Sequence, residues 1–164
     1  MILAAAAAMA AYLEPTPQPV GGMARVSDGD SFRLGDTRIR LLGMDAPELR
    51  QTCQDQQQRS WPCGERARDN LASLLRQGEV DCRPEGTDQY GRLLAYCTVA
   101  GQDLGAAMVR DGMAISSDNY WREEQTARKT QAGIWQGGFE TPKNWRQDRS
   151  KQPFAWGLLS RFGF

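Results

Sequence analysis

The sequence contains no histidine, and this absence narrows the possible chemistry more than any other feature of its 164 residues. Without histidine there is no Ser-His-Asp triad, no Cys-His pair and no imidazole general base, and a zinc site is poorly supported. A net positive charge is missing as well, because 20 basic residues balance 20 acidic residues. No overall electrostatic field therefore favours nucleic acid, and any anion must be bound by local groups. Chemistry in this chain depends on carboxylates, arginines or a hard metal ion.

The sequence has four cysteines without C-x-x-C spacing, at Cys53, Cys63, Cys82 and Cys97. They make a poor zinc site without histidine, and disulfides in one of three connectivities explain them better. Sequence proximity favours Cys53 with Cys63 across one loop and Cys82 with Cys97 across a predicted hairpin. Two disulfides indicate an oxidising compartment, so we expect a periplasmic or secreted protein. The alternative is four reduced cysteines buried as small hydrophobic residues.

Long apolar runs are also missing, so no segment reaches the length that a membrane-spanning helix needs. The chain length fits one domain with a single core, which we place at residues 23–138. Residues 1–22 combine an alanine-rich stretch, an Ala8-Met9-Ala10 cleavage pattern and a proline-bearing linker. We expect an export or anchor-like segment there, with N-terminal membrane association as one use and a plain helical arm as the alternative. Residues 139–164 form a C-terminal extension that we expect to pack on the domain.

Hydrophobic periodicity predicts the order of strands and helices. Short alternating runs predict a three-strand meander over residues 25–45, and residues 64–78 have the spacing of an amphipathic helix. Residues 79–101 are typical of a hairpin, and two further helices are predicted over residues 103–114 and 120–135. This order predicts an all-β-dominated α+β fold, a five-stranded OB-type barrel with three helices. A doubly wound sheet is disfavoured, because no helical crossovers separate the first three strands.

Two acidic residues form a candidate metal site. Asp30 lies in the Asp28-Gly29-Asp30 turn, where glycine allows a tight backbone bend. Asp45 closes the third strand, and the proline that follows two residues later keeps Ala46 extended and its carbonyl free. Two carboxylates and a backbone carbonyl are hard oxygen ligands, which suit calcium once waters complete the coordination shell.

Three further charged residues predict the chemistry. Glu48, three residues beyond Asp45, is placed to face the same cavity and to act as a general base. Arg40 projects from the strand that Asp45 ends, and Arg92 opens the fifth strand directly after a glycine turn. Two guanidinium groups at one pocket indicate an anionic substrate. A phosphodiester fits, because guanidinium groups bind phosphate oxygens bidentately and stabilise the charge of the transition state.

Each of these features also has a purely structural explanation. An Asp-Gly-Asp turn is more often structural than functional, since Asp caps turns through its own backbone. The Tyr90-Gly91-Arg92 sequence is common in hairpins, and Arg40 in a strand is most often solvated or half of a surface ion pair. The functional hypothesis depends on all five charged residues occurring in one order.

The segments VSDGDSF, RIRLLGMDAPE, DQYGRLLAY and LGAAMVRDGMA, followed by GIW, resemble the staphylococcal nuclease, or thermonuclease, family. The resemblance runs from about Val26 to Trp135 and implies a five-stranded OB barrel with three helices. It also implies calcium-dependent hydrolysis of phosphodiester bonds, with DNA or RNA as the substrate. The roles that it implies are calcium ligation by Asp30, Asp45 and the Ala46 carbonyl, general base catalysis by Glu48, phosphate binding by Arg40 and Arg92, and substrate binding by Tyr90.

Three features depart from the family pattern. The chain is neutral, whereas the best-known member is strongly basic, so fast electrostatic capture of long nucleic acid is not implied. The segment ISSDN replaces tyrosines that stack on a base, which leaves Tyr120 or Trp121 as stacking candidates. The cysteines are additions, and the branch that carries them also resembles chains labelled as exopolysaccharide biosynthesis proteins.

Two alternatives to a nuclease follow from these departures. One is a catalytically silent OB-fold module that binds nucleic acid or an acidic polysaccharide. The other is an accessory protein of exopolysaccharide biosynthesis, for which the apolar termini are the sequence hint. Nothing in the sequence demands a stable protein partner, and we expect a monomer.

Overall fold

The structure is a computed structural model that describes the backbone of residues 24–151 and the side chains of residues 24–148. The expected export segment over residues 1–22 and the apolar end of the C-terminal extension lie outside the described residues. Within the described part, no helix is both long and apolar enough to span a bilayer.

The described chain forms ten short strands, four α-helices and one 3-10 helix. The strands are β1 (Ala24–Asp28), β2 (Ser31–Leu34), β3 (Thr37–Leu41), β4 (Met44–Asp45), β5 (Cys53–Gln54), β6 (Ser60–Trp61), β7 (Val80–Thr87), β8 (Leu93–Val99), β9 (Gln102–Asp103) and β10 (Ile115–Ser116). The α-helices are α1 (Cys63–Leu75), α2 (Leu104–Arg110), α3 (Trp121–Thr130) and α4 (Pro142–Lys151), and the 3-10 helix is Gly133–Gln136.

The main sheet has the strand order β1-β2-β3-β8-β7, with the short β9 paired to β8. Strands β1, β2 and β3 form the predicted antiparallel meander, whereas β3 and β8 pair in parallel because α1 and β7 cross over between them. The predicted mixed α+β class with a sheet-dominated core is confirmed, and the architecture is consistent with an OB-like fold. Closure of a five-stranded barrel stays a prediction.

One face of the meander supplies the core, and the opposite face carries polar side chains. Phe32 and Leu34 of β2 and Ile39 and Leu41 of β3 are buried, since alternate residues of a strand point to the same face. They pack with the apolar side of α1, which includes Leu71. Each large apolar side chain buried there contributes roughly 1.5–3 kcal/mol. The site described below lies on the polar face of this meander.

The third strand ends earlier than predicted. We expected one strand to run to Asp45, but β3 ends at Leu41 and Asp45 lies on the separate strand β4, opposite Ile115 of β10. The break occurs at Gly43, which has a φ of 79°. Residues with a side chain rarely adopt that backbone conformation. A Cβ atom at Gly43 would also lie 2.8 Å from Cε2 of Tyr120. The chain therefore changes direction before it presents Asp45.

The helix predicted over residues 120–135 is also shorter in the structure. It ends at Thr130, because Gln131 adopts a left-handed backbone with a φ of 54° and Ala132 N donates back to Ala127 O. A separate 3-10 turn follows. The described chain thus has one α-helix more than the three predicted, since α4 forms within the C-terminal extension.

The structure joins Cys53 to Cys63 and Cys82 to Cys97, the pairing that sequence proximity favoured. Cys82 and Cys97 are directly opposite each other on β7 and β8. Cys53 and Cys63 close the small β5–β6 hairpin onto the start of α1 and pack in a second apolar cluster with Ile134. In a chain-entropy model, each bridge of this loop length contributes on the order of 3 kcal/mol.

Candidate active site

The site begins at the turn between β1 and β2, which carries Asp28 and Asp30. Asp30 is only 5% exposed, and its Oδ1 accepts a 2.6 Å hydrogen bond from Ser31 Oγ. Burial raises the pKa of Asp30, and the Arg40 guanidinium opposes that shift. Burial likewise raises the pKa of Asp28 to about 6, with smaller contributions from the charges of Asp30 and Glu48. The buried carboxylate of Asp30, beside the partly exposed Asp28, requires a cationic partner in order to stay ionised.

Gly29 permits a close approach between the turn and the rest of the site. A Cβ atom at this position would lie 2.8 Å from the Cβ atoms of both Ala46 and Ala67. We expected glycine to allow an unusual bend, but Gly29 is not among the glycines with positive φ. Its absent side chain instead lets the turn pack on α1 and on the residue that follows Asp45.

Arg40 joins the two predicted metal-ligating carboxylates. It lies on β3 directly opposite Ser31 of β2, and its side chain therefore reaches the neighbouring turn. Arg40 Nη1 is 2.8 Å from Asp30 Oδ2, and Arg40 Nη2 is 3.1 Å from Asp45 Oδ1. Arg40 is thus an internal member of the site. It is not the solvated arginine or surface ion pair that is most common at such a strand position.

Glu48 is positioned by Gln51, a residue that the sequence analysis did not single out. Gln51 is 0% exposed, and its Oε1 accepts a 3.1 Å hydrogen bond from Glu48 N. Gln51 Nε2 donates to Glu140 O at 2.6 Å, and Gln51 N donates to Glu48 O at 2.7 Å. The segment around Glu48 is therefore fastened to the chain that leads into α4. No sequence signal marks this role, because a glutamine in a polar loop is ordinary and its partner Glu140 lies 89 positions along the chain.

Arg146 of α4 is the second residue that the sequence analysis missed. Its Nη1 and Nη2 lie 3.0 Å and 2.9 Å from the two carboxylate oxygens of Asp45, and Nη1 is also 2.7 Å from Glu48 Oε1. These hydrogen bonds raise the pKa of Arg146, with Asp45 as the stronger partner. Arg146 lies in a polar stretch of the predicted extension, and no local pattern marks it as part of a site.

Arg92 directly precedes β8 and is anchored to the turn that begins at Asp88. Its Nε is 2.7 Å from Asp88 Oδ2, and its Nη1 lies 3.4 Å from Ser31 Oγ. The Arg92 guanidinium lies 5.6 Å from the centroid of the Tyr90 ring. Tyr90 is 65% exposed, so its hydroxyl is accessible to a substrate at the rim.

One open cavity of about 750 Å³ brings most of the predicted residues together. Its lining includes Asp30, Arg40, Glu48, Tyr90, Arg92 and the unpredicted Arg146. Asp45 and Ala46 are not among the lining residues, because Asp45 is 9% exposed beneath Arg40 and Arg146 and Ala46 packs against Gly29. The five charged residues predicted from the sequence thus meet at one place, with Asp45 in its covered layer.

Residues 38–137 match the family model described as staphylococcal nuclease homologue, and this match covers more than half of the 164 residues. The chain belongs to the staphylococcal nuclease family. The resemblance seen in the sequence motifs is therefore confirmed. The match contains Arg40, Asp45, Glu48, Tyr90 and Arg92, whereas the Asp28-Gly29-Asp30 turn and Arg146 lie outside it.

Three proteins with different names are similar in sequence to this nuclease-family chain. It is 33% identical over 125 residues to the succinoglycan biosynthesis protein ExoI of Rhizobium meliloti (strain 1021), covering 72% of this chain and 65% of that protein. It is 30% identical over 176 residues to Protein ParB of Escherichia coli, covering 92% and 94% of the two chains. It is 30% identical over 149 residues to the micrococcal nuclease of Shigella flexneri, covering 77% and 80%.

The donor chemistry of this nuclease-family site fits a hard divalent cation. Asp30 and Glu48 at the cavity and Asp45 in the covered layer beneath it provide carboxylate oxygens, which are the ligand type that calcium prefers. In the arrangement shown, however, these oxygens are bonded to Ser31, Arg40 and Arg146. No group of three acidic or cysteine side chains within residues 24–148 is arranged around a common metal position. A cation at Asp45 would therefore replace hydrogen bonds that Arg146 now makes.

Tyr120 is one of the two residues that the sequence suggests for stacking on a base, and this prediction is wrong. Tyr120 is 7% exposed, contacts Gly43 and Gly105, and donates from its hydroxyl to Asp103 at 3.0 Å. Its ring is part of the core and has no free face for a base. Trp121 is 58% exposed and stays a candidate, with the Arg122 guanidinium 5.1 Å from its ring centroid.

Proposed function

We propose that this member of the staphylococcal nuclease family is a calcium-dependent nuclease that hydrolyses phosphodiester bonds of DNA or RNA. The observation that carries the proposal is the ion-pair network in which Arg40 bridges Asp30 and Asp45 beside Glu48. Relatives named micrococcal nuclease and endonuclease YhcR support a nuclease function in general. The pairing of acids with arginines at one cavity is what phosphodiester hydrolysis needs, since both a proton acceptor and a binder of negative charge are required.

Calcium would be held by the carboxylates of Asp30 and Asp45, with the carbonyl of Ala46 as the further ligand that the resemblance implies. When bound, the cation supplies positive charge that draws a phosphate anion to the cavity and offsets its repulsion by the acids. The buried position of both aspartates suits this role, because a buried carboxylate is stable as an anion only beside a cation.

Glu48 acts as the general base in this mechanism. Its carboxylate lines the cavity, and the hydrogen bonds to Gln51 hold its backbone in place. It accepts a proton from the water whose oxygen attacks phosphorus, while the bond from phosphorus to the ester oxygen breaks. The departing oxygen takes a proton from solvent and Glu48 releases its own proton to solvent, so one water molecule is consumed for each ester bond cleaved.

Arg40 and Arg92 bind the phosphate and stabilise the negative charge that builds up during attack. Each guanidinium has five N–H donors, of which Arg40 uses one on each Nη for Asp30 and Asp45. Arg92 uses its Nε for Asp88, so its Nη groups still have donors for a phosphate oxygen. The exposed ring of Tyr90 lies beside Arg92, and its hydroxyl serves as a further hydrogen-bond donor to the substrate.

We extend the proposal to the setting of the protein. The two disulfides support an extracellular or periplasmic location, where such bridges persist. We further propose that the meander and the β7–β8 hairpin close into a five-stranded OB barrel, and that the protein acts on nucleic acid as a monomer without a stable protein partner.

One observation favours a second candidate function. The similarity to a protein named for succinoglycan biosynthesis supports an accessory role in exopolysaccharide biosynthesis, or a silent module that binds an acidic polysaccharide. In both cases the arginine-lined cavity would bind an anion without hydrolysing it.

Digestion of single-stranded DNA and of RNA by the full chain separates these functions. We expect cleavage with calcium and none after a calcium-selective chelator is added. No cleavage of either nucleic acid by folded, calcium-loaded protein would overturn the nuclease, and binding of an acidic polysaccharide under the same conditions would favour the second candidate. Equal cleavage with magnesium alone would show that the metal requirement is wrong.

A further inference from the structure

Three arginines lie side by side across the meander and have no role in the mechanism above. Arg25 of β1 is directly opposite Arg33 of β2, and Arg33 is directly opposite Arg38 of β3. All three are exposed, and their neighbours Phe32 and Leu34 are buried on the other face. The side chains of this arginine row, Arg25, Arg33 and Arg38, therefore project together from one face of the sheet.

The arginine row runs beside Arg40, which binds the phosphate in the proposed mechanism. The next set of directly opposite residues on the same face contains Asp28, Ser31 and Arg40. Two residues along a strand separate the two sets, which corresponds to a spacing of about 7 Å. Across the strands, the row spans roughly 10 Å. All three arginines line the same cavity as Arg40 and Arg92.

The arginine row carries charge that the protein does not neutralise. Among the described residues, no carboxylate forms an ion pair with Arg25, Arg33 or Arg38, whereas Arg40, Arg92 and Arg146 are all paired. Within residues 24–148, the one hydrogen bond from the row is donated by Arg38 Nη2 to the carbonyl of Tyr90. Most guanidinium donors of the row are therefore available to a ligand.

Like charges directly opposite each other destabilise a sheet, so the row has an energetic cost in the free protein. Counted over the described part of the chain, the cavity lining holds three acids, Asp28, Asp30 and Glu48, and six arginines, Arg25, Arg33, Arg38, Arg40, Arg92 and Arg146. A chain with no net charge thus concentrates positive charge at one place. A polyanion bound there would remove the repulsion.

We propose that Arg25, Arg33 and Arg38 form a phosphate-binding site that holds the backbone of single-stranded nucleic acid beside the bond to be cleaved. The inference rests on the proposed nuclease function. Guanidinium groups bind phosphates bidentately, and contacts with phosphates hold a strand in register without reading its sequence. The arginine row therefore binds further phosphates of the substrate, beyond the one bound by Arg40 and Arg92. This binding does not depend on which bases the strand carries.

The test compares three sets of substitutions in the full chain. The first variant is R25Q/R33Q/R38Q, since glutamine removes the charge and keeps much of the side-chain stem. The second is R25Q/R33Q, which leaves the contact between Arg38 and Tyr90 intact. The matched control is R66Q/R76Q/R110Q, which removes three exposed arginines that lie outside the cavity lining. Thermal unfolding checks that each variant folds, and we expect relief of repulsion to leave the row variants at least as stable as the parent.

The readout is binding of a fluorescent single-stranded oligonucleotide, followed by anisotropy over a range of salt concentrations in the presence of a chelator, so that no cleavage occurs. Each lost phosphate contact lowers the slope of log affinity against log salt by about 0.7. We expect the slope to fall by about 2 in the triple variant and by about 1.4 in the double variant. The control should keep the slope of the parent.

Binding and cleavage together distinguish the possible failures. If the parent cleaves DNA but the triple variant keeps its salt slope, the arginine row is not a phosphate site. If substitution of the row weakens binding of the oligonucleotide as expected but the parent never cleaves DNA, the proposed nuclease function is wrong and the phosphate-binding site is supported. Displacement of the oligonucleotide by an acidic polysaccharide of equal charge at a lower concentration would overturn the assignment to nucleic acid.

Discussion

Arg146 of α4 bonds both carboxylate oxygens of Asp45, at 3.0 Å and 2.9 Å, across 101 positions of sequence. The same guanidinium reaches Glu48 Oε1 at 2.7 Å. One residue of the C-terminal helix therefore occupies the carboxylate oxygens that would bind a cation and accept a proton. The guanidinium offsets negative charge in the metal-free site, and calcium competes with it for Asp45.

Substitution of Arg146 by glutamine should tighten calcium binding. The neutral side chain competes less for Asp45 and Glu48, so we expect the calcium affinity to rise by about tenfold or more, since each charge-assisted hydrogen bond that Arg146 makes is worth about 1.5 kcal/mol. Calorimetric titration of calcium into the metal-free protein measures this. Lys143→Gln is the matched control, because it removes an exposed charge from the same helix. Unchanged or weaker binding in Arg146→Gln would show that the guanidinium does not compete with the cation.

Substitution of Gln51 by methionine should destabilise the protein. The new side chain has a similar volume but leaves Glu48 N and Glu140 O without the hydrogen bonds that Gln51 now makes. A buried polar group that loses its partner costs about 1–3 kcal/mol, so the free energy of unfolding should fall by that amount. Urea denaturation measures it, with Gln77→Met at an exposed position as the control. Equal stability of Gln51→Met and the parent would contradict the role of Gln51 in holding Glu48.

Stability of the metal-free protein should depend on pH through Asp28. Burial raises the pKa of Asp28 from 3.8 to about 6, helped by the charges of Asp30 and Glu48 and opposed by Arg40. Because the folded state binds this proton more tightly, the stabilisation is fully present below about pH 4 and is lost as the pH rises through about 6. Asp28 is partly exposed, so the loss should be only roughly 1–2 kcal/mol.

The comparison that isolates this effect is Asp28→Asn against the parent, both unfolded with urea in a chelating buffer across that pH range. The charge of Asp28 also acts on Arg68 of α1 and helps to raise the pKa of that residue. The quantity to follow is therefore the difference in free energy of unfolding between the two proteins. The difference in free energy of unfolding should change steadily between about pH 4 and pH 6. A difference that stays constant with pH would show that Asp28 titrates normally.

The sequence was informative where the chemistry is local. Neighbours a few positions away determine the Asp28-Gly29-Asp30 turn and the strand that carries Arg40, and both are predicted correctly. The short spacings between the cysteines likewise predict the two disulfides. The third strand was extended too far, because an apolar run does not reveal that Gly43 must adopt a positive φ against Tyr120. Alternation of polar and apolar residues marks a strand but not where its direction changes.

The residues that escaped prediction depend on long-range contacts. Arg146 bonds Asp45 across 101 positions, and Gln51 joins the nearby Glu48 to Glu140, which lies 89 positions away. No motif records such a pairing. Arg33 is an ordinary exposed arginine of a strand until the register places it opposite Arg25 and Arg38. Overall neutrality argued against binding of nucleic acid, but charge counted over the chain says nothing of how arginines are arranged in space.

The most direct test of the account is the turnover of Glu48→Gln on single-stranded DNA with saturating calcium. This substitution keeps the shape of the side chain and removes the proton acceptor, so we predict a loss on the order of 10²-fold or more in rate with an unchanged fold. Glu79→Gln, at an exposed position outside the cavity lining, should cleave like the parent. If a folded Glu48→Gln protein cleaves DNA at the parent rate, Glu48 is not the base and the proposed mechanism is wrong.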